Sequence, residues 1–164
     1  MTLSELNSFP QDQFTQALAT IFEHSPWIPN RAWRKRPFAT LDKLHQAMVD
    51  EVDRATTNEQ LQLLRAHPDL GARARMSQES TTEQTRAGLS SLTPNQYERL
   101  QTLNTQYRAT FDFPFILAVK GATYQTIIEA LTQRITHSRE DELKEALNQV
   151  SKIARFRLND HIKE

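Results

Sequence analysis

The apolar residues of this chain recur with the spacing of an α-helix along almost its whole length. Phe14, Ala17, Leu18, Ile21 and Phe22 fall at i, i+3, i+4, i+7 and i+8, which places them on one helical face. Comparable stripes occupy residues 41–52, 97–111, 127–135 and 143–158. No segment alternates convincingly with the period of a strand, and no Asn-Gly hairpin turn is present. The sequence therefore predicts an all-α fold, a compact single-domain bundle over residues 1–164 with about seven or eight helices of typical length.

Sequence signals mark where several helices begin and end. Thr93 is followed by Pro94 and Gln96, which is typical of a capped helix start with proline in the first turn. A short helix opens near Thr57, and Pro68 must end it. The segment 80–83, Ser-Thr-Thr-Glu, has the spacing of another capping box.

One apolar segment, residues 115–119, has the composition of a strand but not the context of one. It is short and isolated, and it directly follows Pro114. We therefore expect a buried turn that leads into the next helix.

Composition excludes several classes of protein. Basic and acidic residues both number 20, so the net charge is zero and a nucleic-acid partner is not expected. The absence of cysteine excludes disulfides, thiolate nucleophiles and thiolate metal sites. No apolar run approaches the roughly 18 residues of a membrane span, and the N-terminus lacks the features of a signal peptide. These observations predict a cytoplasmic protein with no membrane partner.

The three glycines, Gly71, Gly88 and Gly121, all lie in one part of the chain, which predicts special backbone geometry there. His67 begins the same part and is the strongest general acid or base candidate, because Pro68 restricts the backbone beside it. The alternative interpretation of His67 is a histidine at a helix end, where the helix dipole favours it. No two histidines have the spacing of a metal-binding pair.

Glu83 and Arg157 each allow a structural and a functional interpretation. Glu83 completes the capping box with Ser80, or it orients a polar group of a substrate bound at the helix N-terminus. Arg157 falls at the edge of the apolar stripe formed by Leu143, Leu147, Val150 and Ala154, whereas Arg155 points away from it. An arginine on such a face either extends to solvent or pairs with an anion.

Four motifs, in this order and spacing, resemble the decarboxylases of 2-oxo-4-hydroxy-4-carboxy-5-ureidoimidazoline (OHCU), which act in urate breakdown. The motifs are His67-Pro68-Asp69-Leu70, Glu79-Ser80-x-x-Glu83-Gln84-x-x-Ala87-Gly88-Leu89, Phe113-Pro114-Phe115 and Lys152-Ile153-x-x-x-Arg157-Leu158. The family often has glycine where this chain has Asp112, and aspartate tolerates the left-handed conformation better than most residues. We therefore expect the turn there to survive.

The resemblance implies an all-α homodimeric lyase that needs no cofactor and no metal, with OHCU as its small-molecule substrate. It implies that His67 and Glu83 are catalytic, with Glu83 fixing the substrate hydroxyl. It further implies a set of substrate-binding residues: Pro68, Ser80, Thr81, Thr82, Glu83, Gln84, Phe115, Ile116, Leu117, Ala118, Val119 and Arg157. Two alternatives stay open, a non-catalytic helical interaction module and a related decarboxylase with a different ureido-type substrate.

Overall fold

The structure, a computed structural model, describes residues 1–71 and 78–164, with all their side chains except those of residues 78–81 and Ser90. Its backbone contacts divide the chain into two compact units, residues 1–66 with 151–164 and residues 67–150. The prediction of one domain over residues 1–164 stays a prediction.

The described residues form nine α-helices and two short 3₁₀ turns, which confirms the all-α prediction. The helices are α1 (Leu3–Ser8), α2 (Gln11–Ala17), α3 (Trp27–Ala32), α4 (Leu41–Arg54), α5 (Thr57–Arg65), α6 (Gln78–Arg86), α7 (Pro94–Phe111), α8 (Tyr124–Arg134) and α9 (Arg139–His161). None of them is long and apolar enough to cross a membrane.

The first unit contains α1–α5 and the C-terminal part of α9. Helix α3 packs against α2 and α4. Side-chain caps start its longer helices: Thr40 accepts from the N–H of Lys43, and Thr56 and Glu59 form a full capping box. The chain ends are joined, because the N–H of Leu3 donates to the carbonyl of Lys163 at 2.7 Å.

The predicted helix over residues 14–22 is shorter than its apolar stripe. Helix α2 ends at Ala17, and the chain continues in turns, with His24 at a φ of 47°. Leu18, Ile21 and Phe22 are nevertheless buried. The turns bring the carbonyl of Thr20 within 2.9 Å of the Arg157 guanidinium. A buried cation with a backbone acceptor therefore overrides the local helical pattern.

The second unit contains α6–α8 and the N-terminal part of α9. The predicted capping box of Thr93 and Gln96 is present at the start of α7, with Pro94 at its first position. The same helix ends at Asp112, whose φ of 64° lies in the left-handed region, as expected from the replacement of the family glycine. The chain then enters an aromatic cluster that consists of Tyr107, Phe111, Phe113 and Phe115.

The buried face of α9 agrees with the predicted stripe in its second half only. Val150, Ala154 and Leu158 are buried as predicted, whereas Leu143 and Leu147 are only half-buried. The buried face also carries polar side chains among apolar ones: Glu142, Ala146, Gln149, Val150, Ile153, Ala154, Arg157 and Leu158. Arg157 is thus part of the buried face itself, not of its edge.

Two glycines with positive φ provide a matched test of the local packing. Gly88→Ala should cost about 1–2 kcal/mol of unfolding free energy, because alanine is strained at a φ of 77°, although a Cβ there meets nothing within 4 Å. Gly71→Ala should cost roughly 1–3 kcal/mol more, because its Cβ would lie 2.7 Å from Cδ2 of Leu100, which is fully buried. Urea denaturation of both variants measures the difference. Equal losses would contradict the close packing at Gly71.

Candidate active site

The segment from His67 to Gly71 is held by side chains of two helices. The N–H of Gly71 donates to Oε1 of Gln84 on α6 at 2.8 Å, and the Leu70 carbonyl accepts from Nδ2 of Asn104 on α7 at 3.0 Å. Arg108, one turn further along α7, pairs with Asp69 at 2.6 Å. These contacts fix three consecutive residues directly after His67 and Pro68.

His67 itself is buried, with 7% of its surface exposed. It lies two residues after the end of α5, and Gly71 follows with a φ of 71°, as its predicted need for special geometry requires. A histidine here is shielded from bulk water and is set on a backbone that cannot rotate freely. This combination suits an acid or base that must meet its substrate in one orientation.

Helix α6 begins earlier than the sequence signal indicated. It starts at Gln78, so Ser80 lies inside the helix and Glu83 is its sixth residue. Ser80 therefore does not cap this helix, and the capping-box interpretation of Ser80 and Glu83 is wrong. Glu83 is half-buried and Thr82 is exposed. The side chains of Ser80 and Thr81, both predicted to bind substrate, lie outside the described residues.

Gln84 is buried beside Glu83, and its carbonyl oxygen already accepts from Gly71. This hydrogen bond connects α6 to the segment 67–71. Gln84 can still contact a substrate through its NH₂ group, which is a donor only, or through the second lone pair of its oxygen.

The segment 113–119 has neither helical nor strand structure and is mostly buried, which confirms that it is not a strand. The turn itself lies just beyond the expected segment, at residues 120–121. Phe113, Phe115, Ile116 and Val119 are buried, whereas Leu117 and Ala118 are half-buried. Three of its backbone groups are bonded within the second unit. The Ile116 carbonyl accepts from Arg134 at 2.5 Å, the Ala118 N–H donates to Gln149 at 3.0 Å, and the Val119 carbonyl accepts from Ala122 at 2.9 Å.

Glu142 is the centre of a buried polar network behind this segment. Its side chain is fully buried, and its Oε1 accepts from the Tyr107 hydroxyl at 2.5 Å and from Nε of Arg134 at 2.6 Å. Nη2 of Arg134 lies 2.5 Å from the same oxygen, an ion-pair contact without hydrogen-bond alignment. Nδ1 of His137 lies 3.2 Å from Oε2 and carries the proton in this contact, because an ionised carboxylate only accepts.

The aromatic cluster and the Glu142 network share Tyr107 and Arg134. Burial, and then the hydrogen bond to Glu142, raise the pKa of the Tyr107 hydroxyl well above its usual range, so it stays a donor. The Arg134 guanidinium lies 4.5 Å from the Phe115 ring centroid while it holds the Ile116 carbonyl. One arginine thereby links the buried charge to the backbone of the predicted binding segment.

Arg157 lies in the first unit and is also buried, with 3% of its side chain exposed. Nη2 donates to Oε2 of Glu23 and Nη1 donates to the Thr20 carbonyl, both at 2.9 Å. The interpretation that Arg157 extends to solvent is therefore wrong. Arg155 instead pairs with the exposed Asp42, as its predicted outward direction requires.

Sequence reasoning did not identify the polar residues that hold these segments: Glu23, Asn104, Arg108, Arg134, Glu142 and Gln149. The sequence did contain a signal for Arg134. It lies three residues after Leu131 and seven after Ile127, which places it on the apolar stripe of α8. Arg134 shares this placement with Arg157, so the same pattern could have identified it. Asn104 and Gln149 gave no such signal, because their partners are backbone groups distant in sequence.

Within residues 1–71 and 78–164, no group of three or more histidine or carboxylate side chains is arranged to hold a metal ion. The chemistry that these residues offer is proton transfer by His67, a carboxylate at Glu83, and hydrogen bonds from fixed side-chain and backbone groups.

Comparisons with known proteins agree in one description. A family model described as OHCU decarboxylase matches residues 7–159. The 2-oxo-4-hydroxy-4-carboxy-5-ureidoimidazoline decarboxylase of Halalkalicoccus jeotgali is 48% identical over 160 residues, 98% of this chain and 91% of that protein. The protein of the same name from Haloferax volcanii is 46% identical over 158 residues, 96% of this chain and 94% of that protein. The crystal structure of an (S)-allantoin synthase is similar with a TM-score of 0.82 and 35% identity, covering 99% of this chain and 54% of that longer one.

The buried pair of Arg134 and Glu142 predicts strongly non-additive effects on stability. Arg134→Met should cost about 3–5 kcal/mol of unfolding free energy, because it leaves the Glu142 carboxylate buried without its cation. Glu142→Gln should also lower the unfolding free energy, because it leaves the Arg134 guanidinium buried without its anion. The double variant should lose less than the sum of the two, because no buried charge remains and the new amide oxygen at position 142 still accepts from Tyr107. Denaturant unfolding measures all three, and simple additivity would contradict a coupled pair.

Proposed function

The chain belongs to the OHCU decarboxylase family, and we propose that it converts OHCU to (S)-allantoin and CO₂ in urate and purine catabolism. The observation that carries the proposal is the family match over residues 7–159, which includes all four motifs of the predicted site. The fixed, buried setting of His67 supports it independently, because it provides the acid that such a reaction needs.

The reaction breaks one carbon–carbon bond and makes one carbon–hydrogen bond. When CO₂ leaves, the bonding electron pair stays on the substrate ring, where it is delocalised as an enolate-like species. A proton added to one face of that ring then gives (S)-allantoin. An enzyme must therefore orient the carboxylate, stabilise the delocalised charge and supply the proton from one side only.

His67 is proposed to stabilise the intermediate and then to protonate it, either directly or through a water that it holds. Its neighbours Asp69, Leu70 and Gly71 all bond to helices, so the backbone beside His67 is held before the substrate arrives. Glu83 is proposed to accept a hydrogen bond from the substrate hydroxyl.

The remaining contacts are proposed to bind the ring and the ureido group. Pro68 and residues 80–82 stay assigned to the substrate, as does Gln84 through its NH₂ group. In the segment 115–119, substrate contact should concentrate at Leu117 and Ala118, its two half-buried residues. Arg157 is proposed to hold a substrate oxygen, because a planar guanidinium can donate to more than one acceptor at once.

We further propose that the protein needs no cofactor, acts in the cytoplasm and forms a homodimer. The cofactor proposal rests on the chemistry above, in which a protein acid and hydrogen bonds suffice. The other two rest on the family resemblance. The alternative of a non-catalytic helical module is not favoured, because relatives that cover nearly the whole chain are named as decarboxylases.

The decisive variant is His67→Asn, assayed with freshly prepared OHCU by following the optical activity of the product. In free solution the proton reaches both faces of the intermediate, so uncatalysed decay gives no net optical activity. The wild-type protein should produce (S)-allantoin, and the variant should be slower by about 10²–10⁴-fold, the usual contribution of a positioned acid.

His161→Asn is the matched control, because His161 is exposed at the end of α9. It should leave the rate unchanged. Circular dichroism should show that both variants retain their helices. A folded His67→Asn protein with a rate within threefold of wild type would refute the catalytic role of His67.

A further inference from the structure

The two peptide groups that flank Leu117 are each held by one buried side chain. Arg134, from the end of α8, donates to the Ile116 carbonyl at 2.5 Å. Gln149, from α9, accepts from the Ala118 N–H at 3.0 Å. Both side chains are buried, with 6% of each residue exposed. Neither of them takes part in the proposed chemistry.

Because a peptide group is planar, each of these contacts also fixes the direction of a backbone group on the opposite side of the chain. In a planar trans peptide the carbonyl and the N–H point in opposite directions. When Arg134 fixes the Ile116 carbonyl, it also fixes the direction of the Leu117 N–H in the same peptide. When Gln149 fixes the Ala118 N–H, it likewise fixes the Leu117 carbonyl. Leu117 therefore has one backbone donor and one backbone acceptor, and the contacts made by Arg134 and Gln149 fix the directions of both.

The orientation of the Gln149 amide is itself determined. Its Nε2 lies 2.7 Å from Oε1 of Glu145, one helical turn earlier. A carboxylate only accepts, so this nitrogen must be the amide NH₂ and the other atom must be the oxygen that faces Ala118. Glu145 thus prevents the flipped amide, which would place a donor against a donor at Ala118.

We propose that Gln149 and Arg134 are positioning residues that set the backbone of Leu117 to bind an amide edge of the substrate. A ring or ureido amide offers one N–H and one carbonyl, which complement the carbonyl and N–H of Leu117. The inference rests on the proposed function, and it adds residues that contact no substrate but determine how well it is bound. Gln149 carries the test, because an Arg134 variant also leaves Glu142 without its cation.

The test compares Gln149→Met with the exchanged pair Glu145→Gln/Gln149→Glu. Methionine keeps the length of the side chain but cannot accept a hydrogen bond from Ala118. It should raise KM for OHCU, and the Kd for (S)-allantoin measured by calorimetry, by roughly five- to tenfold, with kcat changed less than threefold. In the exchanged pair the carboxylate at 149 accepts from Ala118 and the amide at 145 donates to it. This pair should restore both constants to within about twofold of wild type.

Gln60→Met is the matched control, because Gln60 also bonds its side chain to a backbone group, the Val52 carbonyl at 2.9 Å. It should leave KM and Kd unchanged whatever it does to the melting temperature. If Gln149→Met lowers the melting temperature but leaves KM and Kd at wild-type values, its role is structural and the proposal is wrong. If the exchanged pair binds no better than Gln149→Met, the proposal is equally wrong. A wild-type protein that produces no (S)-allantoin would instead refute the proposed function, and the inference with it.

Discussion

The buried carboxylate of Glu142 is the constraint on which the second unit depends. A charge that is fully removed from water must be neutralised and hydrogen-bonded, and Arg134, Tyr107 and His137 supply those contacts. Satisfying Glu142 brings together α7, α8 and the start of α9. Because Arg134 also holds the Ile116 carbonyl, the same charge determines where the segment 113–119 runs. The other two bonded backbone groups of the segment have partners outside this network, since the Ala118 N–H donates to Gln149 and the Val119 carbonyl accepts from Ala122.

The His67 segment follows the same rule with neutral groups. Asn104 and Gln84 satisfy backbone groups that a loop would otherwise leave unpaired beneath the surface. In both segments, irregular backbone is held by side chains from regular helices. A site built in this way can keep a fixed geometry while its reacting surface stays outside any helix. This property suits a reaction in which a proton must arrive from one face.

Much of the fold could be predicted from the sequence, because helical periodicity and caps are local signals. The capping box at Thr93, the left-handed Asp112 and the positive φ of Gly71 all follow from the chemistry of single residues. The errors lie where polar groups pair over a long range in sequence. The first apolar stripe predicted too long a helix, and beyond the end of α2 the carbonyl of Thr20 accepts from Arg157. The last stripe is correct in its second half, but in its first half Glu142 and Gln149 are buried while Leu143 and Leu147 are half-buried. The candidate site was identified mainly through family resemblance, since no local pattern reveals which side chain will hold which backbone group.

We propose that fixed backbone after His67 and around Leu117 forms one binding surface for the substrate. A crystal structure of the protein with (S)-allantoin bound tests it most directly. The ligand should lie within hydrogen-bond distance of the His67 imidazole and of both the N–H and the carbonyl of Leu117. The bonds from Arg134 to Ile116 and from Ala118 to Gln149 should remain intact in that complex. Allantoin bound away from His67, or Leu117 groups turned away from the ligand, would contradict the account.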